Sequence, residues 1–155
     1  MLLEKALKYL IWADQEMKKM LEVVTDNEFY QQFGDYGGSI YNRCKHLAIA
    51  SWGGYIIVST EEPEYEPDFD SMSREELLDT ITTYNQKLFD LIRNKPKETY
   101  EITRGEKTVS LHFEDLVFNA INHATYHRGQ IMMALRLLEK DIYTTDYVPY
   151  LFQTR

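Results

Sequence analysis

Cysteine occurs once in this chain, at Cys44. A lone thiol excludes an intrachain disulfide and fits a reducing compartment. Positive charge is also scarce, with 17 Lys and Arg against 25 Asp and Glu and a formal net charge of -8. No basic tract interrupts that balance, so neither a nucleic acid nor an anionic membrane is an expected partner. Long apolar runs are missing, and nothing approaches the roughly 18 residues of a membrane span. The opening Met1-Leu2-Leu3-Glu4-Lys5-Ala6-Leu7-Lys8 carries charges within its apolar pattern and offers no small-residue cleavage site. It does not read as a signal peptide, and the expected location is cytoplasmic.

Several catalytic signatures are absent too. No His-Glu-x-x-His zincin motif, Gly-x-Ser-x-Gly elbow or phosphate loop occurs. The Glu-x-x-His pairs of di-iron bundles are lacking, because Arg43, Val109, Ala120 and Ala124 stand three before the four histidines. What remains is a chain of 155 residues, 44% hydrophobic and 14% aromatic. That is enough for one core, and residues 1–155 read as one domain.

Apolar periodicity predicts a first helix over residues 2–24, carried by Leu3, Leu7, Leu10, Met17, Leu21 and Val24, with Asp14 on the same stripe. Residues 25–38 read as turns. Ser39 is a plausible N-cap for a second helix reaching Val58, apolar nearly all round, as suits a central helix or one covered by another subunit. One of its faces reads Asn42, His46, Ile49, Ala50, Gly53 and Ile57, where small residues would allow close helix approach. The acidic connection 59–72, broken by Pro63 and Pro67, suggests a crossover or a loop over the bundle's end. Ser73-Arg74-Glu75-Glu76 is a capping box opening a third helix that stops near Asn94. Tyr100–Thr103 and Lys107–Ser110 flank Arg104-Gly105-Glu106 as a short hairpin. The aromatic tail from Asp141 to Phe152 is expected to pack back near the site or on a neighbour. The fold class is all-α, an antiparallel four-helix bundle with a small β-hairpin before the last long helix.

That last helix, Leu111–Leu138, carries the chemistry. Phe113, Leu116, Val117, Ala120, Ala124, Ile131, Ala134, Leu135 and Leu138 make one apolar stripe, and His123 and His127 stand in its middle. Four residues apart on a helix is about 40° of rotation, with Cβ atoms roughly 5–6 Å apart. Two such imidazoles can reach one metal ion at about 2.0–2.1 Å each. Burying both without a metal would demand partners for all their ring nitrogens. A third ligand would come from elsewhere: His46, Cys44, Asp14 or His112. Cys44 and His46 are two apart on one helix and cannot both face the site. His112 reads as a surface or capping residue. Asn42 and Asn119, each one turn before a histidine, could accept a ring N–H. Arg128 is expected to pair with an acidic residue of a neighbouring helix or subunit. Gly129 suggests a large neighbour against the backbone, and Gln130 could reach the edge of the site. Asp14 and Gln130 are the candidates for a catalytic group. Tyr9, Trp12, Trp52, Tyr55 and Tyr126 could line a pocket, though core packing is the commoner fate of such residues.

The run His123-Ala124-Thr125-Tyr126-His127-Arg128-Gly129-Gln130-Ile131 resembles the His-x-x-x-His-Arg-Gly-Gln signature of the DinB family of metal-binding four-helix bundles. Trp12-Ala13-Asp14, Ser39-Ile40 with His46-Leu47 and Trp52, and Asp146 to Leu151 resemble its other segments in order. The resemblance implies a divalent metal, nickel or zinc, held by His46, His123 and His127. It also implies a homodimer and transferase or isomerase activity with a low-molecular-weight thiol on a small molecule. The mechanism expected from it is attack by a metal-activated thiol sulfur on an electrophilic carbon. Two alternatives stand beside this reading: a non-catalytic metal-binding or interaction protein, and a metal-dependent hydrolase.

Overall fold

The computed structural model describes residues 2–34, 38–59, 65–94 and 98–154. Its helices are α1 (Leu2–Leu21), α2 (Asp26–Tyr30), α3 (Ile40–Ser59), α4 (Arg74–Leu91), α5 (Phe113–Leu137) and α6 (Tyr147–Gln153), with a 3-10 turn at Ile92–Asn94. Strands β1 (Thr99–Arg104) and β2 (Lys107–His112) form the one sheet among the described residues.

The elements follow from local chemistry. Leu7, Leu10, Met17 and Leu21 recur on one face of α1 and are all buried, as the periodicity predicts. The helix ends at Leu21 rather than Val24, but Val24 stays in the core. Ser73 caps α4 as expected: its hydroxyl accepts from the Glu76 N–H, and the Glu76 carboxylate accepts from the Ser73 N–H at 2.7 Å. Ser39 caps α3 in the same way with Asn42, whose N–H donates to the Ser39 hydroxyl at 3.0 Å. The Asn42 carboxamide oxygen accepts the Ser39 N–H in return, at 3.1 Å. Asn42 therefore serves the cap, not a histidine ring. In the hairpin, Arg104 pairs with Lys107, which leaves a two-residue turn at Gly105-Glu106. Gly105 has φ +60, where a side chain would be strained, so glycine is needed there. The second strand runs on to His112, so the last helix starts at Phe113 rather than Leu111.

The turn region holds an unexpected helix, α2. Thr25 and Glu28 form a second reciprocal capping box, and Phe29 is fully buried beneath it. Thr25-Asp26-Asn27 suggested a turn because those residues favour caps and turns alike.

Of the four long helices, α1 packs on α4 and α5, and α3 packs on the same two. The order around the bundle is α1, α4, α3, α5. The chain therefore crosses the bundle diagonally between α1 and α3 and again between α4 and α5, while α3 and α4 are neighbours. The connection 59–72 was expected to be a crossover or a loop over the bundle's end; it joins two neighbouring helices and so is not a diagonal crossing, and its residues 60–64 lie outside the described residues. Its later half folds onto α3, where buried Phe69 meets Trp52 with ring centroids 5.8 Å apart. The tail does pack back: α6 lays Tyr147 and Tyr150 against Tyr9 of α1, at 5.3 and 5.8 Å.

Candidate metal centre

Position on α5 decides where the two helix histidines point. His127 is buried, at 7% exposure, and His123, one turn earlier, is half-buried. His46 reaches them from α3 and is itself exposed. Ring centroids lie 4.9 Å apart for His46 and His123, and 4.5 Å for each of the other two pairs. One ring nitrogen from each histidine lies within 4.8 Å of the others. Among the described residues this is the one group of His, Cys, Asp or Glu gathered closely enough to hold an ion.

The ring nitrogens suit a metal. The Gln130 carboxamide oxygen lies 2.7 Å from His127 Nδ1. That oxygen can only accept, so Nδ1 carries the hydrogen and Nε2 keeps its lone pair for a ligand. His123 Nε2 is buried with no hydrogen-bond partner. A buried ring nitrogen without a partner is costly, and a metal would satisfy it. Partial burial holds the pKa of His46 and His123 below the ordinary 6.5, and repulsion from His127 adds to it. Arg104 and His46 push His123 in the same direction. All of this favours the neutral, metal-competent imidazole.

The remaining sequence candidates lie elsewhere. Asp14 is buried on α1, where one carboxylate oxygen accepts from Arg128 at 2.8 Å and the other from the Asn85 side chain at 2.7 Å. Burial pushes its pKa up, and Arg128 and Asn85 pull against that. Asp14 thus approaches the histidines only through Arg128, the residue after His127. Arg128 itself is 2% exposed and also donates to Thr125 at 3.1 Å, so the expected acidic partner is intramolecular. Cys44 is fully buried, and burial pushes its thiol up to about 12. It acts as a small apolar residue. His112 occupies the N-cap position of α5, its N–H donating to Asp115 at 3.1 Å.

A cleft of about 480 Å³ opens between α3, α4, β1 and α5, within the ordinary size of a small-molecule site. His46 and His123 line it, with Ile49, Ala50, Gly53 and Ile57 from the predicted face of α3. Those small residues do not admit a neighbouring helix, as had been expected. A Cβ on Gly53 or Gly54 would meet nothing within 4 Å, because both glycines face open space. Gly129 corrects in the same way: no large neighbour lies against its backbone. Arg104, Asn85, Asn119 and Ser51 are the polar residues of the wall besides the histidines. Arg104, Asn85 and Ser51 were not singled out by sequence reasoning. The hairpin register, which carries Arg104 to the turn, was the available signal for it. None of the five aromatic candidates lines the cleft. Tyr9 is core, Trp12 packs with Tyr150, Tyr55 meets Tyr84, and Tyr126 is exposed with its ring 5.0 Å from His127.

The profile of the DinB family matches residues 1–154. Protein DinB of Bacillus subtilis (strain 168) is 24% identical over 166 residues, covering 97% of this chain and 94% of that protein. A solved structure described as "YfiT from Bacillus subtilis is a probable metal-dependent hydrolase with an unusual four-helix bundle topology" superposes with a TM-score of 0.71. It is 17% identical, and the match covers 90% of this chain and 89% of that one. At that identity the likeness speaks for the fold.

Proposed function

Because this chain belongs to the DinB family, we propose that it holds a divalent metal, zinc or nickel, on His46, His123 and His127. We further propose that it transfers a low-molecular-weight thiol to a small electrophilic substrate. The observation that carries this is the wall of the cleft: two of the three histidines open onto it, and no Asp, Glu, Lys or Tyr lines it among the described residues. Three neutral imidazoles leave a bound ion its full charge and an open coordination position, the pattern of a catalytic site. When bound, the metal supplies Lewis acidity that ionises a thiol or water near neutral pH. Gln130 holds His127 in the tautomer that presents Nε2, and the apolar wall of α3 limits water at the reacting sulfur. The reaction forms a carbon–sulfur bond, and the leaving group departs with the electron pair of the bond it loses.

Metal-dependent hydrolysis is the second reading, and the description of YfiT as a probable metal-dependent hydrolase favours it. Zinc hydrolases of the His-Glu-x-x-His kind use a carboxylate as general base. The described cleft wall offers none, which favours a nucleophile needing ionisation alone. A homodimer belongs to the same proposal: Phe118, Tyr126, Met133 and Leu137 on α5 are 71%, 64%, 55% and 63% exposed. Several large apolar side chains along one helix suit a protein contact better than water. A cytoplasmic location is likewise proposed, and no described helix is long and apolar enough to cross a membrane.

The test is a conjugation assay with 1-chloro-2,4-dinitrobenzene and a panel of small thiols, comparing metal-loaded protein, metal-free protein and His123→Ala. Metal-dependent thioether formation above background, absent from the variant, is the expected result. Metal-dependent ester hydrolysis with no thioether from any thiol would overturn the transferase in favour of the hydrolase.

A further inference from the structure

The cleft beside the histidines carries an electrostatic imbalance. Arg104, at the hairpin turn, lines it together with His46 and His123. Among the described residues no carboxylate is ion-paired with Arg104. None lines the cleft either. The chain as a whole is acidic, at -8, yet its charge is kept off this wall. A divalent ion on three neutral histidines would therefore sit in the same cleft as a guanidinium, with no carboxylate among the described residues of its wall. Arg104 and His46 are exposed and His123 is half-buried, so solvent screens part of the repulsion between these like charges, and a ligand that brings negative charge of its own relieves the rest. The guanidinium fork matches a carboxylate in particular, donating to it through two parallel N–H groups.

We infer that Arg104 is the anchor for a carboxylate on the molecule that enters this cleft, so that the thiol used here is a carboxylate-bearing one. This rests on the thiol reading above. A thiol of that class would bring one negative charge as the thiolate at the histidines and another as the carboxylate at Arg104. Neutral and cationic thiols would leave the guanidinium unanswered.

Cobalt(II)-loaded protein titrated with 3-mercaptopropionate and 6-mercaptohexanoate, and with the matching mercaptoalcohols, tests this through the sulfur-to-cobalt charge-transfer band. At least one acid is expected to bind about tenfold tighter than its alcohol at low salt, as a charge-assisted contact would give. Arg104→Gln should abolish that ratio while keeping the cobalt content and the affinity for the alcohols, and Arg104→Lys should keep part of it. An acid-to-alcohol ratio unchanged in Arg104→Gln would overturn the inference. A second readout separates it from the thiol proposal: the Arg104 Nε–H resonance, assigned by its loss in Arg104→Gln, followed during addition of hexanoate or hexanol. Movement with hexanoate alone supports the carboxylate anchor, even if no thiol perturbs the cobalt spectrum and the thiol reading fails. No movement with hexanoate overturns the anchor, even if the cobalt band forms with every thiol.

Discussion

Gln130 and Arg128 stand within three residues of His127, and the structure gives them opposite tasks. Gln130 lies one turn on and fixes the proton on His127 Nδ1. Gln130→Ala would free the ring to take either tautomer, and loss of such a partner commonly costs 10–100-fold in metal affinity. A competition titration against a chromogenic chelator should show about that loss with stoichiometry at saturation unchanged. Unaltered affinity would contradict the role. Arg128 turns instead to α1, where it and Asp14 make an ion pair at 2% and 0% side-chain exposure. Asp14→Ala strands a buried guanidinium and should cost about 3–5 kcal/mol in urea unfolding. The double change Asp14→Leu with Arg128→Met should lose much less, because no charge is then left without its partner. Equal losses from the single and double changes would show that the charges themselves are not what matters there.

Among the elements, α2 holds the described carboxyl that is driven down to about 2. Glu28 in its capping box also meets Lys140, beyond the end of α5, at 2.8 Å. The Lys140 contact first, and then the Thr25 N–H, hold its pKa down from 4.5 to about 2. A carboxyl whose folded pKa is depressed stabilises above its unfolded pKa and loses that contribution as pH falls through the folded one. Thermal stability should therefore fall between about pH 4.5 and pH 2. Glu28→Gln should be less stable at neutral pH and flatter across that window. An unchanged acid limb would show that Glu28 does not anchor α2.

The same elements show where the sequence speaks. The last helix and the hairpin were legible because apolar period and turn glycine agree there, and Ser73 marked its helix start because a long apolar period follows its capping box. The α2 helix was not, because its cap residues are turn residues too and five residues hold no period. Gly53 and Gly129 misled in one consistent way. A missing side chain marks space, and nothing local says whether a helix or an open cleft occupies that space.

At the scale of the whole molecule, the order α1, α4, α3, α5 decides the site. It sets α3 beside α5, so that His46 meets His123 and His127, and it sets the hairpin turn at the mouth of the cleft. No spacing within the chain states that two helices so far apart in sequence are neighbours. Only the family signature carried His46 to the pair. Metal content measured by mass spectrometry on tag-free protein, beside His46→Ala and His123→Ala, tests this arrangement most directly. One divalent ion per chain in the wild type, lost from both variants while their helical content is kept, is the expected result. A wild type that holds no metal and cannot be loaded, or variants that keep theirs, would contradict it.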